Sequence, residues 1–213
     1  MSSANRVLEP VEETAGATGG IACLEFANTV HDYGAAGDPR DDIDSYATLL
    51  AWAQSRGVID HARRRKLSAA ASRDPRAAEA AMARARALRE AIYRILSARA
   101  RAECARSADV DRLNAALGHA LAGAALASSG SEFRWRWAEG EGLAAPILWP
   151  VARSAAELLT SEKSPRIVEC GGKTCTWLIM DATKNHSRKF CSAEGCGNRT
   201  RVRRHYERQR ARN

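Results

Sequence analysis

Four of the six cysteines fall in a pattern that can hold a metal ion. Cys170 and Cys175 enclose four residues, Cys191 and Cys196 enclose four more, and fifteen residues separate the pairs. Zn²⁺ takes four soft ligands in a tetrahedron, and a short loop can set two thiolates of one pair on adjacent corners. Gly171, Gly172, Gly195 and Gly197 give these loops the freedom to turn. Two disulfides are the other use of the same residues. Residues 1–16 carry neither a basic stretch followed by an apolar run nor a small-residue cleavage site, so a cytoplasmic location is expected. A reducing compartment keeps thiols open, which favours metal over disulfides. Four cysteine ligands leave no position for water or substrate, so one structural Zn²⁺ is expected and catalysis at it is not.

Four thiolates around Zn²⁺ carry a formal charge of −2, and Lys173, Arg188 and Lys189 stand close enough in sequence to offset it. The segment has few apolar residues of its own, chiefly Ile167, Val168, Trp177, Leu178, Ile179 and Phe190. Metal binding, on the order of 10 kcal/mol in small zinc domains, is therefore expected to supply most of its folding energy. Cys23 and Cys104 lie outside the spacing and read as small buried hydrophobes.

The formal net charge of +8 is concentrated just beyond this motif. Residues 184–213 hold ten basic side chains against two acids, Glu194 and Glu207, so the tail carries the whole surplus and the first 183 residues are formally neutral. Residues 198–212 contain neither Pro nor Gly and predict a helix. Val202 and Tyr206, four apart, are its clear apolar residues and are expected to anchor it on the metal module. A one-signed helix joined to a rigid platform is the footprint of a phosphate-binding element. Arg188, Lys189, Arg199, Arg201, Arg203, Arg204, Arg208 and Arg212 are the candidate nucleic-acid contacts. DNA is the expected partner, and RNA is a variant. A protein-interaction module is the competing reading, since the Trp135 and Trp137 segment could present an aromatic surface.

Cys170-x4-Cys175-Thr-Trp-Leu-Ile-Met-Asp181, Ser187-Arg-Lys-Phe-Cys191-Ser and Cys196-Gly-Asn-Arg199 together resemble the CGNR zinc finger, named for the last tetrapeptide. Phe190 stands where a Trp is common in that family, and Lys189 where Arg is common. Upstream, Cys23-Leu-Glu-Phe-Ala-Asn-Thr29 and Leu49-Leu-Ala-Trp-Ala53 followed by Gly57 resemble the ABATE domain that usually precedes this finger in stress-induced transcription regulators. The resemblance implies zinc ligation by Cys170, Cys175, Cys191 and Cys196, and DNA binding.

The elements that must position these groups read as a mainly α (α+β) chain. A leader over 1–16 is followed by a helical domain with a short β-hairpin over 17–163, then the zinc module with its basic helix over 164–213. Helices are expected over 20–30, from a Ser45 cap to Gly57, over 60–72, from the Asp74-Pro75 signature to about residue 105, and from a Ser107 cap through Val110, Leu113, Leu117 and Leu121. The alternation Phe133-Arg-Trp-Arg-Trp137 predicts a half-buried strand paired near 124–128. A helix over 143–160 closes the domain. No apolar run is long enough to span a bilayer, so no membrane contact is expected. Glu25, Asn28 and His31, with Asp32, cluster near the end of the first helix and form a candidate pocket for a small-molecule effector. No phosphate loop, nucleophile elbow or His-rich metal motif supports an enzyme.

Overall fold

The structure, a computed structural model, describes residues 17–31, 40–137 and 142–210. The expected leader, Asp32 and Arg212 lie outside the described residues. Helix α1 (Ala22–Ala27) leads into a two-residue pairing of β1 (Val30–His31) with β2 (Arg40–Asp41). Four further helices build the body: α2 (Tyr46–Ser55), α3 (His61–Arg73), α4 (Pro75–Ala100) and α5 (Ser107–Ala122). A hairpin of β3 (Ala124–Ser129) and β4 (Glu132–Trp137) follows, then α6 (Ala145–Thr160). The C-terminal part consists of β5 (Ile167–Glu169) paired antiparallel with β6 (Leu178–Met180), then a short turn and α7 (Asn198–Arg210). Among the described residues, no helix is long and apolar enough to cross a membrane.

Local chemistry sets most of these boundaries. Ser45 Oγ accepts from the Thr48 amide at 3.2 Å while Thr48 Oγ1 accepts from the Ser45 amide at 3.0 Å, a reciprocal cap on α2. Asp60 caps α3 through the Arg63 amide at 2.7 Å, and Asp74 caps α4 through the Ala77 amide at 3.0 Å with Pro75 at the first position. Gly57 (φ +67°) ends α2, with the Val58 amide donating to the Ala53 carbonyl at 2.8 Å. The same closure ends α4 five residues earlier than its sequence suggests. The Glu103 amide donates to the Ala98 carbonyl at 2.8 Å across Ala102 in the left-handed region (φ 56°), so alanine stands where a glycine would have signalled the stop. Ser107 begins α5 but does not cap it; Arg106 is the capping position and makes no side-chain cap bond.

The long α4 is the organising element. Its stripe of Met82, Ala85, Leu88, Ile92, Ile95 and Leu96 joins Phe26, Leu49, Trp52, Ile147 and Val151 in one apolar cluster. Each large aliphatic or aromatic side chain in it is worth about 1.5–3 kcal/mol of burial. Ile167, Leu178 and Met180 belong to the same cluster. The C-terminal hairpin thus shares the core of the body instead of building its own, which lightens the load expected of the metal. One polar clamp also crosses the body: Arg89, buried on α4, donates to both carboxylate oxygens of Asp41 at 2.7 and 2.6 Å and to Thr29 Oγ1 at 2.9 Å.

The β3–β4 hairpin pairs where expected, with Leu126 facing Trp135 and Ala124 facing Trp137. Its aromatic face is open rather than half-buried: Phe133 is 72% and Trp135 41% exposed. Only the base of the hairpin is packed, where Trp137 meets Trp149 of α6 with ring centroids 6.3 Å apart. Arg153 of the same helix lies over Trp135 at 5.1 Å, covering part of that ring by a cation–π contact. Cys104 is exposed, contrary to its reading as a core residue, because it falls in the turn after α4. Cys23 is fully buried, and loss of hydration pushes its thiol up to about 12.

Candidate metal centre and basic helix

The two cysteine pairs are brought together by the β5–β6 hairpin on one side and the turn before α7 on the other. Cys170 follows β5 and donates its amide to the Trp177 carbonyl at 2.8 Å, continuing the ladder by one step. Gly171 donates to the Lys189 carbonyl at 2.7 Å, which ties the first loop to the segment bearing the second pair. The Cys191 amide donates to Cys170 Sγ at 3.3 Å. Gly172 is demanded by close approach: a Cβ there would stand 3.0 Å from both Cys175 Cβ and Cys196 Sγ. The second pair is shaped by Ser192, whose Oγ accepts from the Gly195 amide at 3.0 Å and whose carbonyl accepts from the Gly197 amide at 3.0 Å.

The four Sγ atoms lie within 4.8 Å of one another, with Cys175 and Cys191 at 3.9 Å. A tetrahedron with Zn–S bonds of about 2.3 Å has S···S edges of about 3.8 Å. All four are free thiols, and a disulfide would need its sulfurs about 2.05 Å apart, so the pairing alternative does not fit. Without a cation the cluster resists multiple ionisation. Hydrogen bonds from Cys175 and Cys191 push Cys170 down to about 2, and hydrogen bonding to Cys170 drives Cys191 up to about 12 and Cys175 further up. A divalent ion removes that conflict by neutralising all four thiolates at once. The donor set therefore fits one structural Zn²⁺, which here supplies a cross-link between two loops.

Positive charge around the sulfurs comes partly from an unexpected direction. Arg199 donates to Cys196 Sγ at 3.0 Å. Arg188 supports the second loop's backbone, donating to the Phe190 carbonyl at 3.2 Å and the Cys191 carbonyl at 2.8 Å. Buried Asp181 orders the intervening loop by accepting from the Thr183 hydroxyl at 2.6 Å and from the Thr183 and Arg188 amides at 2.9 and 3.0 Å. Those bonds, the Thr183 hydroxyl foremost, hold its carboxyl below the usual range. Asp181 directly follows β6 within the motif, and its place between a strand end and a turn is the sequence signal for this capping role.

Helix α7 grows directly out of the Cys196-Gly197 turn. Lys189, Arg201, Arg204, Arg208 and Arg210 are exposed, and Arg203 is half-buried beside Glu207 at 3.7 Å. Val202 and Tyr206 do not anchor the helix: they are 45% and 60% exposed. Thr200, 3% exposed, takes the inward position instead. The helix packs chiefly on the turn at Ala193–Gly197, so only its first residues find anything to bury against.

Glu25, Asn28 and His31 each have protein partners. Asn28 completes β6 by side chain, its Nδ2 donating to the Leu178 carbonyl at 2.7 Å and its Oδ1 accepting the Leu178 amide at 2.8 Å. His31 Nδ1 accepts from Trp177 Nε1 at 3.1 Å while Nε2 meets Asp42 at 2.7 Å. Glu25 accepts from the Thr18 hydroxyl at 3.1 Å and pairs with Arg56 at 3.5 Å. Helix α4 adds further ties to the metal module. The Tyr93 hydroxyl donates to the Thr176 carbonyl at 3.1 Å, Ser97 donates to Glu169 at 2.6 Å, and Arg101 grips Glu169 at 2.9 and 3.0 Å. A helical pattern alone does not say which polar residue on or just past α4 meets a partner 68 to 83 positions away.

Two family models match the chain in tandem. The ABATE model, described as "Putative stress-induced transcription regulator", matches residues 20–162, and the CGNR zinc finger matches residues 166–209. Neither describes an enzyme family. Among curated proteins, none matches the chain. With two thirds of its length under the first model and the four-thiol cluster inside the second, the chain belongs to the ABATE family and carries a CGNR zinc finger.

Proposed function

We propose that this protein is a DNA-binding transcription regulator without enzymatic activity, in which zinc sets the pose of a basic reading helix. The observation that carries this reading is the one-signed face of α7. Arg201, Arg204 and Arg208 are exposed along one side of a helix that starts two residues after the ligand Cys196, with Arg210 exposed on another side and Lys189 on the preceding loop. Arginine forks match phosphate oxygens and can also reach guanine O6 and N7 in a major groove. Arg203 belongs to the same basic surface, and Arg212 is a further candidate contact in this reading. Arg188 and Arg199, which hold the metal loops, act by placing the helix and by their residual positive field. Asn28 and His31 hold the finger against the body and Glu25 ties Thr18 to Arg56 within it, uses that their bonds support better than contact with an effector.

Titration of the zinc-loaded protein against a fluorescent DNA duplex over a salt series tests the reading. With about five phosphates neutralised, log affinity falls against log salt with a slope of about −4.5. Arg201→Ala/Arg204→Ala/Arg208→Ala should bring the slope to about −2. A slope near zero for the unaltered protein would remove the electrostatic basis of the proposal. The exposed Tyr206 on the same helix favours single-stranded RNA or DNA as a second reading, since bases stack on aromatic rings. Tighter binding to the single strand than to the duplex, lost with Tyr206→Ala, would select it.

A further inference from the structure

Away from the zinc, α4, α5 and α6 frame a half-open cavity of about 320 Å³, at the lower end of the range for small-molecule sites. Its wall is apolar: Leu88 of α4, with Leu148 and Trp149 of α6, and several alanines between them. Its remaining lining is cationic. Arg84, Arg112 and His119 reach it from α4 and α5, and no described carboxylate lines it. Among the described residues, Arg84 and His119 have no side-chain hydrogen bond or ion pair, and Arg112 meets only the field of Asp109 one turn before it.

We infer that this cavity is a binding site for a small amphipathic carboxylate, with an aromatic or branched apolar body against Trp149 and an anionic head between Arg84 and Arg112. The apolar wall supplies burial, and two guanidinium groups supply planar donors for a carboxylate, the pairing that arginine makes best. A neutral ligand would gain the first and forgo the second. A cation would meet like charge on the polar side. Trp149 gives the wall rigidity: Gly123 packs so tightly on it that a Cβ there would come within 2.3 Å of the indole ring. The position also suits a regulator. The same α4 that offers Arg84 and Leu88 to the cavity offers Tyr93, Ser97 and, at its C-cap, Arg101 to the zinc module further along.

Calorimetric titration of the full zinc-loaded chain with 1-naphthoate, and separately with the uncharged 1-naphthalenemethanol, tests the site. The expected result is saturable one-to-one binding of the acid, at least tenfold tighter than the alcohol. Arg84→Gln and Arg112→Gln, both exposed positions whose exchange leaves the core intact, should each weaken the acid about tenfold and leave the alcohol unchanged. Equal binding of acid and alcohol, an acid affinity unmoved by either exchange, or no saturation with the acid would each overturn the assignment. The readout does not involve DNA, so failure here leaves the role of α7 standing, and failure of DNA binding leaves this site standing.

Discussion

The helical body and the metal module solve the same problem with opposite means. In the body, Met82, Leu88, Ile92 and Leu96 recur at helical spacing and bury against α1, α2 and α6, so the fold follows from where apolar side chains fall. In the module, two three-residue strands and two loops carry too few apolar residues for that. Four sulfurs within 4.8 Å, polar ties to α1 and α4, and burial of Ile167, Leu178 and Met180 in the body's own cluster stand in for a separate core. Removing one methylene from a core is tolerated by degrees; a tetrahedral site with three sulfurs is a different site.

The comparison breaks most visibly if the metal is taken away. Cys191→Ser should reduce bound zinc from one per chain to none and forfeit a binding energy on the order of 10 kcal/mol. Amide protection should vanish over the loops at 170–176 and 182–197, while β6, packed on the body, and the helical circular dichroism persist. Metal analysis with hydrogen exchange checks both halves, and protection of the Cys191 amide in the metal-free variant would show that the loops hold without an ion.

Next in size is the clamp inside the body, where charge rather than apolar area is at stake. Asp41→Asn leaves the Arg89 guanidinium buried with no counter-charge, which costs about 3–5 kcal/mol when one partner of a buried pair is lost. Arg89→Met, which removes the charge and keeps the stem, should cost clearly less. Urea unfolding of both variants decides; equal losses would mean that packing, and not the ion pair, accounts for Arg89.

Much of this was readable from the residues because it is local. The caps at Ser45 and Asp74, the stop at Gly57 and the pairing of β3 with β4 each depend on neighbours within a few positions. The zinc cluster was readable because equal cysteine spacings leave few uses for four thiols. What escaped depends on where distant elements end up. Val202 and Tyr206 have the spacing of an anchor, yet spacing cannot say that the helix projects past the surface it would need. Phe133 and Trp135 alternate as a buried face would, yet α6 reaches only the base of their hairpin. Asn28 completes a strand 150 positions away, a partnership no local pattern announces.

That partnership is where the two regions meet, and it sharpens the contrast at smaller scale. Asn28→Ala strands the buried Leu178 amide and carbonyl, each of which had a single side-chain atom as partner. The expected loss is about 2 kcal/mol, seen as faster amide exchange along β6 at unchanged zinc content. Loss of zinc together with β6 protection would instead make the docking a precondition for the metal site.

The smallest effect lies within the body and concerns pH. Arg94 donates to Asp109 at 2.7, 2.9 and 3.0 Å, and this bonding holds the Asp109 carboxyl below its ordinary range. A carboxyl depressed in the folded state binds its proton more readily when unfolded, so its stabilisation is present above the unfolded value of about 3.9. It fades as the pH drops from there through the folded value. Arg94→Gln returns Asp109 toward the ordinary range and should flatten the fall of stability below pH 4, with a modest loss at neutral pH. Zinc ligation is itself acid-sensitive, so both proteins are compared metal-free, with a chelator at every pH. Parallel stability curves for the two between pH 2 and 5 would mean that Arg94 does not set the titration of Asp109.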